Sequence, residues 1–207
     1  MGQIIKFPGQ AAKFGFKRVR KRAPTEHPGQ LDLFPQRTAQ ILDLSLGLRP
    51  FEQALLWDER GEAKAAELYV KAIEEGDRVA DAFCNLGIIE SQKGNTARAF
   101  DCFTNALKHD PRHSEAHFNL GNLYFDVNDF RLAQIHYEMV VEVDPAFANV
   151  YFNLALTQAI NNELAAAVGT LGRYQEMVSE EEGRKADELL HNLQKTLAAR
   201  ARLGSTD

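Results

Sequence analysis

The chain has 207 residues, 44% hydrophobic and 26% charged, with a formal net charge of −5. That is an ordinary soluble composition, sized for one domain plus a tail, and no apolar run approaches the length of a membrane span. Its two cysteines, Cys84 and Cys102, form neither a C-x-x-C pair nor a disulfide framework, which points to a reducing, cytoplasmic setting.

The tail, residues 1–49, comes first. Residues 1–23 hold Lys6, Lys13, Lys17, Arg18, Arg20, Lys21 and Arg22 but no acid, so all 29 acidic side chains lie beyond them. There is no apolar h-region of a secretory signal, Lys6 spoils the myristoylation pattern after Met1-Gly2, and the arm lacks the serines of a transit peptide. Five of the seven prolines fall within 1–50, and residues 1–35 are expected to be mostly disordered when alone. The run "KFGFKRVRKR" interleaves aromatics with cations. Phosphate attraction and stacking would give Lys17, Arg18, Arg20, Lys21 and Arg22 weak, salt-sensitive contact with nucleic acid. A nuclear-localisation patch, or an arm lying on the acidic body, fits the same residues.

Next comes "QLDLF", Gln30, Leu31, Asp32, Leu33 and Phe34, flanked by prolines. It resembles the peptide by which bacterial proteins dock on the ring-shaped DNA sliding clamp. The resemblance implies that Leu33 and Phe34 enter an apolar pocket while Gln30 makes polar contacts. Packing on the first repeat, or occupying the protein's own groove, are the competing readings. The segment "TAQILDLSLGL" is expected to add a short helix to the body or to bind along its edge.

From about residue 50 the chain repeats itself every 34 residues. "ADAFCNLGIIESQKGNTARAFDCFTNALKHDPRH" starts at Ala80, "SEAHFNLGNLYFDVNDFRLAQIHYEMVVEVDPAF" at Ser114 and "ANVYFNLALTQAINNELAAAVGTLGRYQEMVSEE" at Ala148. Asn85-Leu86-Gly87 recurs as Asn119-Leu120-Gly121 and Asn153-Leu154-Ala155, and Asp110-Pro111 recurs as Asp144-Pro145. Each copy carries two apolar runs at three- and four-residue steps, such as Phe83, Leu86 and Gly87, then Ala99, Cys102, Phe103 and Ala106. Gly94-Asn95 breaks the pair at a turn, and the residue before each Pro ends the second helix. A weaker copy with a shorter loop spans about 50–79, turning at Gly61, with Trp57 expected to pack inside it. After the last copy, Ser179 to Glu182 form a capping box, and Leu189, Leu193 and Leu197 stripe the helix it begins.

Period and pattern resemble the tetratricopeptide repeat family. The resemblance implies an all-α, right-handed solenoid of antiparallel helix pairs over 50–203, with units at about 50–79, 80–113, 114–147 and 148–179 and a solubilising C-terminal cap at 180–203. It also implies that the first helix of each pair lines a concave groove. Asn85, Asn119 and Asn153 would then form a row of amides able to hold a peptide backbone without reading its sequence, or to bond the neighbouring helix instead. Ile88, Phe118, Asn122, Phe125, Asp126, Phe152 and Leu156 would surround them. That groove is apolar and aromatic with acidic Glu115 and Asp126. It lacks the cations with which some related repeats clamp a terminal carboxylate, so an apolar or basic peptide is the expected ligand.

No phosphate-binding, dinucleotide-binding or nucleophile-elbow motif occurs, and no cofactor is implied. His109, His113 and His117 invite a metal reading, but Pro111 breaks the helix between the first two and His117 occupies a packing slot shared with Phe83 and Tyr151. Cys84 is expected to be a buried, inert thiol. The sequence thus describes a non-enzymatic protein-interaction scaffold, with a clamp-tethered accessory protein of DNA replication or repair as the alternative.

Overall fold

A computed structural model describes residues 14–20 and 47–204. Among them every extended regular element is helical: α1 (Pro50–Glu59), α2 (Lys64–Glu74), α3 (Val79–Gln92), α4 (Thr96–His109), α5 (Ser114–Asp126), α6 (Phe130–Val143), α7 (Ala148–Ile160), α8 (Leu164–Met177) and α9 (Glu180–Gly204). These residues fall into two compact units, one of 14–17 and 110–204, the other of 18–20 and 47–109. Within each, consecutive helices pack on one another, so the architecture is the all-α stack of helix pairs that the 34-residue period implies. No described helix is long and apolar enough to cross a membrane.

The turns inside the pairs share one backbone solution. Gly94, Asn128 and Asn162, spaced by 34, take φ of +80°, +62° and +70°, and each N–H bonds the carbonyl three residues back. Glycine and asparagine are the residues that tolerate this left-handed region. Helix starts are capped by side chains: His113 accepts from Ala116 N–H, Asp129 from Leu132 N–H, and Ser179 from Glu182 N–H. At α1, Pro50 opens the helix, and buried Asp77 accepts the Phe51 N–H at 2.9 Å while pairing with Arg49 at 3.1 Å. A carboxylate at a helix N-terminus is stabilised by the exposed N–H groups and the helix dipole.

Gly87 and Gly121 are close-approach positions. A Cβ on Gly87 would sit 2.7 Å from the Phe103 ring, and one on Gly121 would sit 2.7 Å from the Tyr137 ring. The third copy places Ala155 at this position and Leu171, not an aromatic, opposite it, both fully buried. The extra methyl is accommodated because no flat ring faces it.

In the N-terminal unit the rings of Phe51, Tyr69 and Phe103 are fully buried, with Phe51 and Tyr69 5.8 Å apart. Trp57 is only partly buried and packs at the margin of that cluster, beneath Lys64 and Arg60. It packs against this unit's core as the sequence reading has it, but from the margin: Phe51 and Tyr69 fill the centre, and the amphipathic indole takes the wet edge. In the C-terminal unit Leu189 and Leu193 of α9 are buried and Leu197 partly so, closing the core around Tyr137, Phe152 and Tyr174.

Candidate functional site

Asparagine is a residue with a donor and an acceptor on one planar group, the same pair that a peptide residue presents on its backbone. In the C-terminal unit Asn153 Oδ1 accepts the Phe14 N–H at 2.7 Å, and its Nδ2 donates to the Phe14 carbonyl at 3.0 Å. Asn119 does the same with Lys17, at 2.7 and 2.9 Å. In the N-terminal unit Asn85 does the same with Val19, at 2.8 and 2.9 Å. All three asparagines are completely buried.

The step of three residues from Phe14 to Lys17 against one repeat from Asn153 to Asn119 has a geometric basis. Three residues of extended chain reach about 10 Å. The Asn153–Asn122 hydrogen bond joins α7 to α5, and helices in contact pack about 8–10 Å apart. Within the C-terminal unit residues 14–17 run opposite to the order of the repeats.

The amides are held ready by their own neighbours. Asn153 Nδ2 also donates to Asn122 Oδ1 at 2.9 Å, and Tyr137 hydroxyl donates to that same oxygen at 2.7 Å. Asn85 Nδ2 also donates to the Tyr69 hydroxyl at 3.1 Å, and Tyr69 donates to Asp58 Oδ2 at 3.1 Å. Burial pushes the Tyr69 hydroxyl up to about 12 and raises that of Tyr137 as well, so both act as neutral donors.

Side chains add to the backbone grip. Phe14 meets Phe152 edge-on at 5.4 Å and Tyr174 at 5.9 Å, an aromatic arrangement that stabilises beyond area alone. The Lys17 ammonium lies 3.4 Å from the centre of the Phe147 ring. Arg18 forms an ion pair with Asp58 and donates to Gln92 Oε1 at 3.2 Å, while Val19 is buried.

Residues 14–20 follow the reading in which the arm lies on the body. Their polar backbone groups find amide partners and Phe14 and Val19 find apolar cover, which together offset the ordering entropy. Of the residues expected to face a peptide, Asn85, Asn119, Phe152 and Asn153 contact the arm. Ile88 and Leu156 are buried in α3 and α7. Phe118 serves the core, its ring 4.7 Å from Phe147 and 6.0 Å from Tyr137. Asn122 is a buried supporting residue, Phe125 packs edge-on against Phe130, and Asp126 is exposed at the end of α5. Of the basic residues, Lys17 and Arg18 have protein partners and Arg20 is exposed. Lys21, Arg22 and the whole of Gln30, Leu31, Asp32, Leu33 and Phe34 lie outside the described residues.

His117 and His136 meet at 3.0 Å through their Nδ1 atoms, with His117 Nε2 3.1 Å from the Pro111 carbonyl. His109 stacks on Phe83, and Cys84 is buried. No cluster of potential metal ligands occurs among the described residues.

Two family models described as tetratricopeptide repeat match residues 80–113 and 102–135. The fold is that of tetratricopeptide-repeat structures. MamA 41-end from Desulfovibrio magneticus RS-1 superposes with a TM-score of 0.62 at 19% identity, covering 75% of this chain and 88% of that one. The first TPR of Spaghetti (RPAP3) bound to HSP90 peptide SRMEEVD gives 0.53 at 21% identity, covering 57% and 93%. The TPR2B domain of yeast Sti1 in complex with pHsp70 gives 0.52 at 22% identity, covering 56% and 97%. No curated protein matches by sequence.

Sequence reasoning missed Asp58, Gln92, Phe147 and Tyr174, because each belongs to a helix or loop that the repeat pattern assigns to packing. It also missed Phe14 and Val19. Their signal was present in the alternation of bulky apolar and basic side chains on an acid-free arm ahead of an acidic body.

Proposed function

We propose that the chain is a peptide-binding scaffold, and that the asparagines at the 34-residue step are the clamps through which it holds a partner's backbone. The observation that carries this reading is the paired contact of Asn153, Asn119 and Asn85 with Phe14, Lys17 and Val19, in which one amide satisfies both polar groups of a single residue. A clamp of this kind ignores side chains, so selectivity falls to the surfaces around it: the rings of Phe152, Tyr174 and Phe147 and the carboxylate of Asp58. Two structurally similar repeat proteins are in complex with HSP90 and Hsp70 peptides, which supports a peptide as the class of partner. The experiment is affinity capture from the native cell with the full chain and with Asn119→Ala. Partners that bind both equally would assign the asparagine a structural role only.

The five residues Gln30 to Phe34 match the clamp-docking pattern position by position and support a second reading, tethering to a DNA sliding clamp. A pull-down with purified clamp decides it. Retained binding by Leu33→Ala with Phe34→Ala removes that reading.

A further inference from the structure

The clamps explain why a backbone is held, but not why this backbone. In the N-terminal unit the answer is chemical. Asp58 extends from α1 with its side chain 7% exposed; it accepts the Tyr69 hydroxyl and forms an ion pair with the Arg18 guanidinium. Gln92, at the end of α3, accepts a guanidinium N–H. One residue on, the Val19 side chain is 6% exposed and its backbone is held by Asn85, whose amide is itself tied to Tyr69. Asp58, Tyr69 and Asn85 are therefore one hydrogen-bonded set that ends in an ion pair with the side chain of one arm residue and in hydrogen bonds to the backbone of the next. A guanidinium suits this arrangement because its planar fork reaches two acceptors at once, whereas an ammonium acts as a point charge.

We propose that Asp58, Gln92 and the Tyr69–Asn85 pair form an arginine-reading subsite, that Arg18 and Val19 occupy it as an intramolecular pseudo-ligand, and that the partner which displaces them presents an extended segment with arginine followed by a small apolar residue. This rests on the reading of the asparagines as peptide clamps. A tethered segment competes at an effective concentration that a free peptide of equal affinity reaches only at about millimolar levels. The native chain is thus closed to weak ligands and open to those that read the subsite better than its own arm, or that arrive after the arm is drawn away.

The test uses the full chain and a fluorescent peptide of residues 13–22, "KFGFKRVRKR", followed by anisotropy. The native chain binds it weakly. The Arg18→Ala chain, with its competitor loosened, binds it about tenfold more tightly, the order expected for one charge-assisted contact. A peptide with alanine at the position of Arg18, or aspartate at that of Val19, loses that gain. In the Arg18→Ala chain carrying also Asp58→Asn, which is isosteric and spares the helices, the native and alanine peptides bind alike. Circular dichroism verifies equal helicity throughout. Equal binding of native and alanine peptides to the Arg18→Ala chain overturns the subsite while leaving the asparagine clamps standing. Binding of neither peptide to that chain overturns both.

Discussion

The side-chain amide of Asn119 satisfies both backbone polar groups of Lys17, 102 residues away, accepting its N–H at 2.7 Å and donating to its carbonyl at 2.9 Å. A buried amide in a helix is costly unless its hydrogen bonds are made. Here the arm makes them, so arm and asparagine stabilise each other.

Removing that amide loosens the arm. Each hydrogen bond contributes about 1 kcal/mol, so Asn119→Ala costs about 1–2 kcal/mol of docking free energy. Cleavage by trypsin after Lys17 and Arg18 requires the arm to leave. Its initial rate, followed by mass spectrometry, rises about tenfold in Asn119→Ala, since about 1.4 kcal/mol corresponds to a factor of ten in the open population. An unchanged rate shows that the bonds do not restrain the arm.

Gly121→Ala tests the close approach of α5 and α6. Alanine gains about 1 kcal/mol of helix propensity over glycine. Against this, the new Cβ falls 2.7 Å from the buried Tyr137 ring, and overpacking of a core costs about 1–3 kcal/mol. The prediction is a net loss of stability in urea unfolding. Adding Tyr137→Leu, which copies the Ala155 and Leu171 pair of the next repeat, recovers part of what Gly121→Ala loses. The interaction in a double-mutant cycle is the quantity to read.

The His117–His136 contact makes stability pH-dependent. His117 Nε2 faces the Pro111 carbonyl and donates to it, so in the neutral pair its Nδ1 accepts from His136 Nδ1. Burial pulls His136 down to about 4 and lowers His117 as well. The unfolded chain takes up protons near pH 6.5, before the folded one does. Stability is therefore fully present above about pH 6.5 and is lost as pH falls toward about 4. His136→Phe flattens that part of the stability profile measured by denaturant titration at successive pH values.

The fold was legible because its information is periodic. A left-handed turn residue recurs every 34 residues in three copies, and a glycine facing a ring and a proline after the second helix recur in two, each with one local physical cause. Asn85, Asn119 and Asn153 were legible for the same reason. Asp58 and Gln92 were not, because their role depends on Arg18, which no repeat positions and which reaches them only through the folded arm. The margin position of Trp57 was not legible, because the repeat pattern does not say which apolar side chains of α1 reach the centre. The charges of Lys17 and Arg18 fit phosphate or the acidic body equally in the sequence, and in the structure they meet an aromatic face and a carboxylate.

Residue-resolved amide hydrogen exchange of the native chain tests the docking of the arm most directly. The Phe14, Lys17 and Val19 amides, each donated to an asparagine oxygen, should exchange at least about tenfold more slowly than in a free peptide of the same sequence, and each should lose that protection when its own asparagine becomes alanine. Free-peptide rates at all three amides in the native chain would contradict the account.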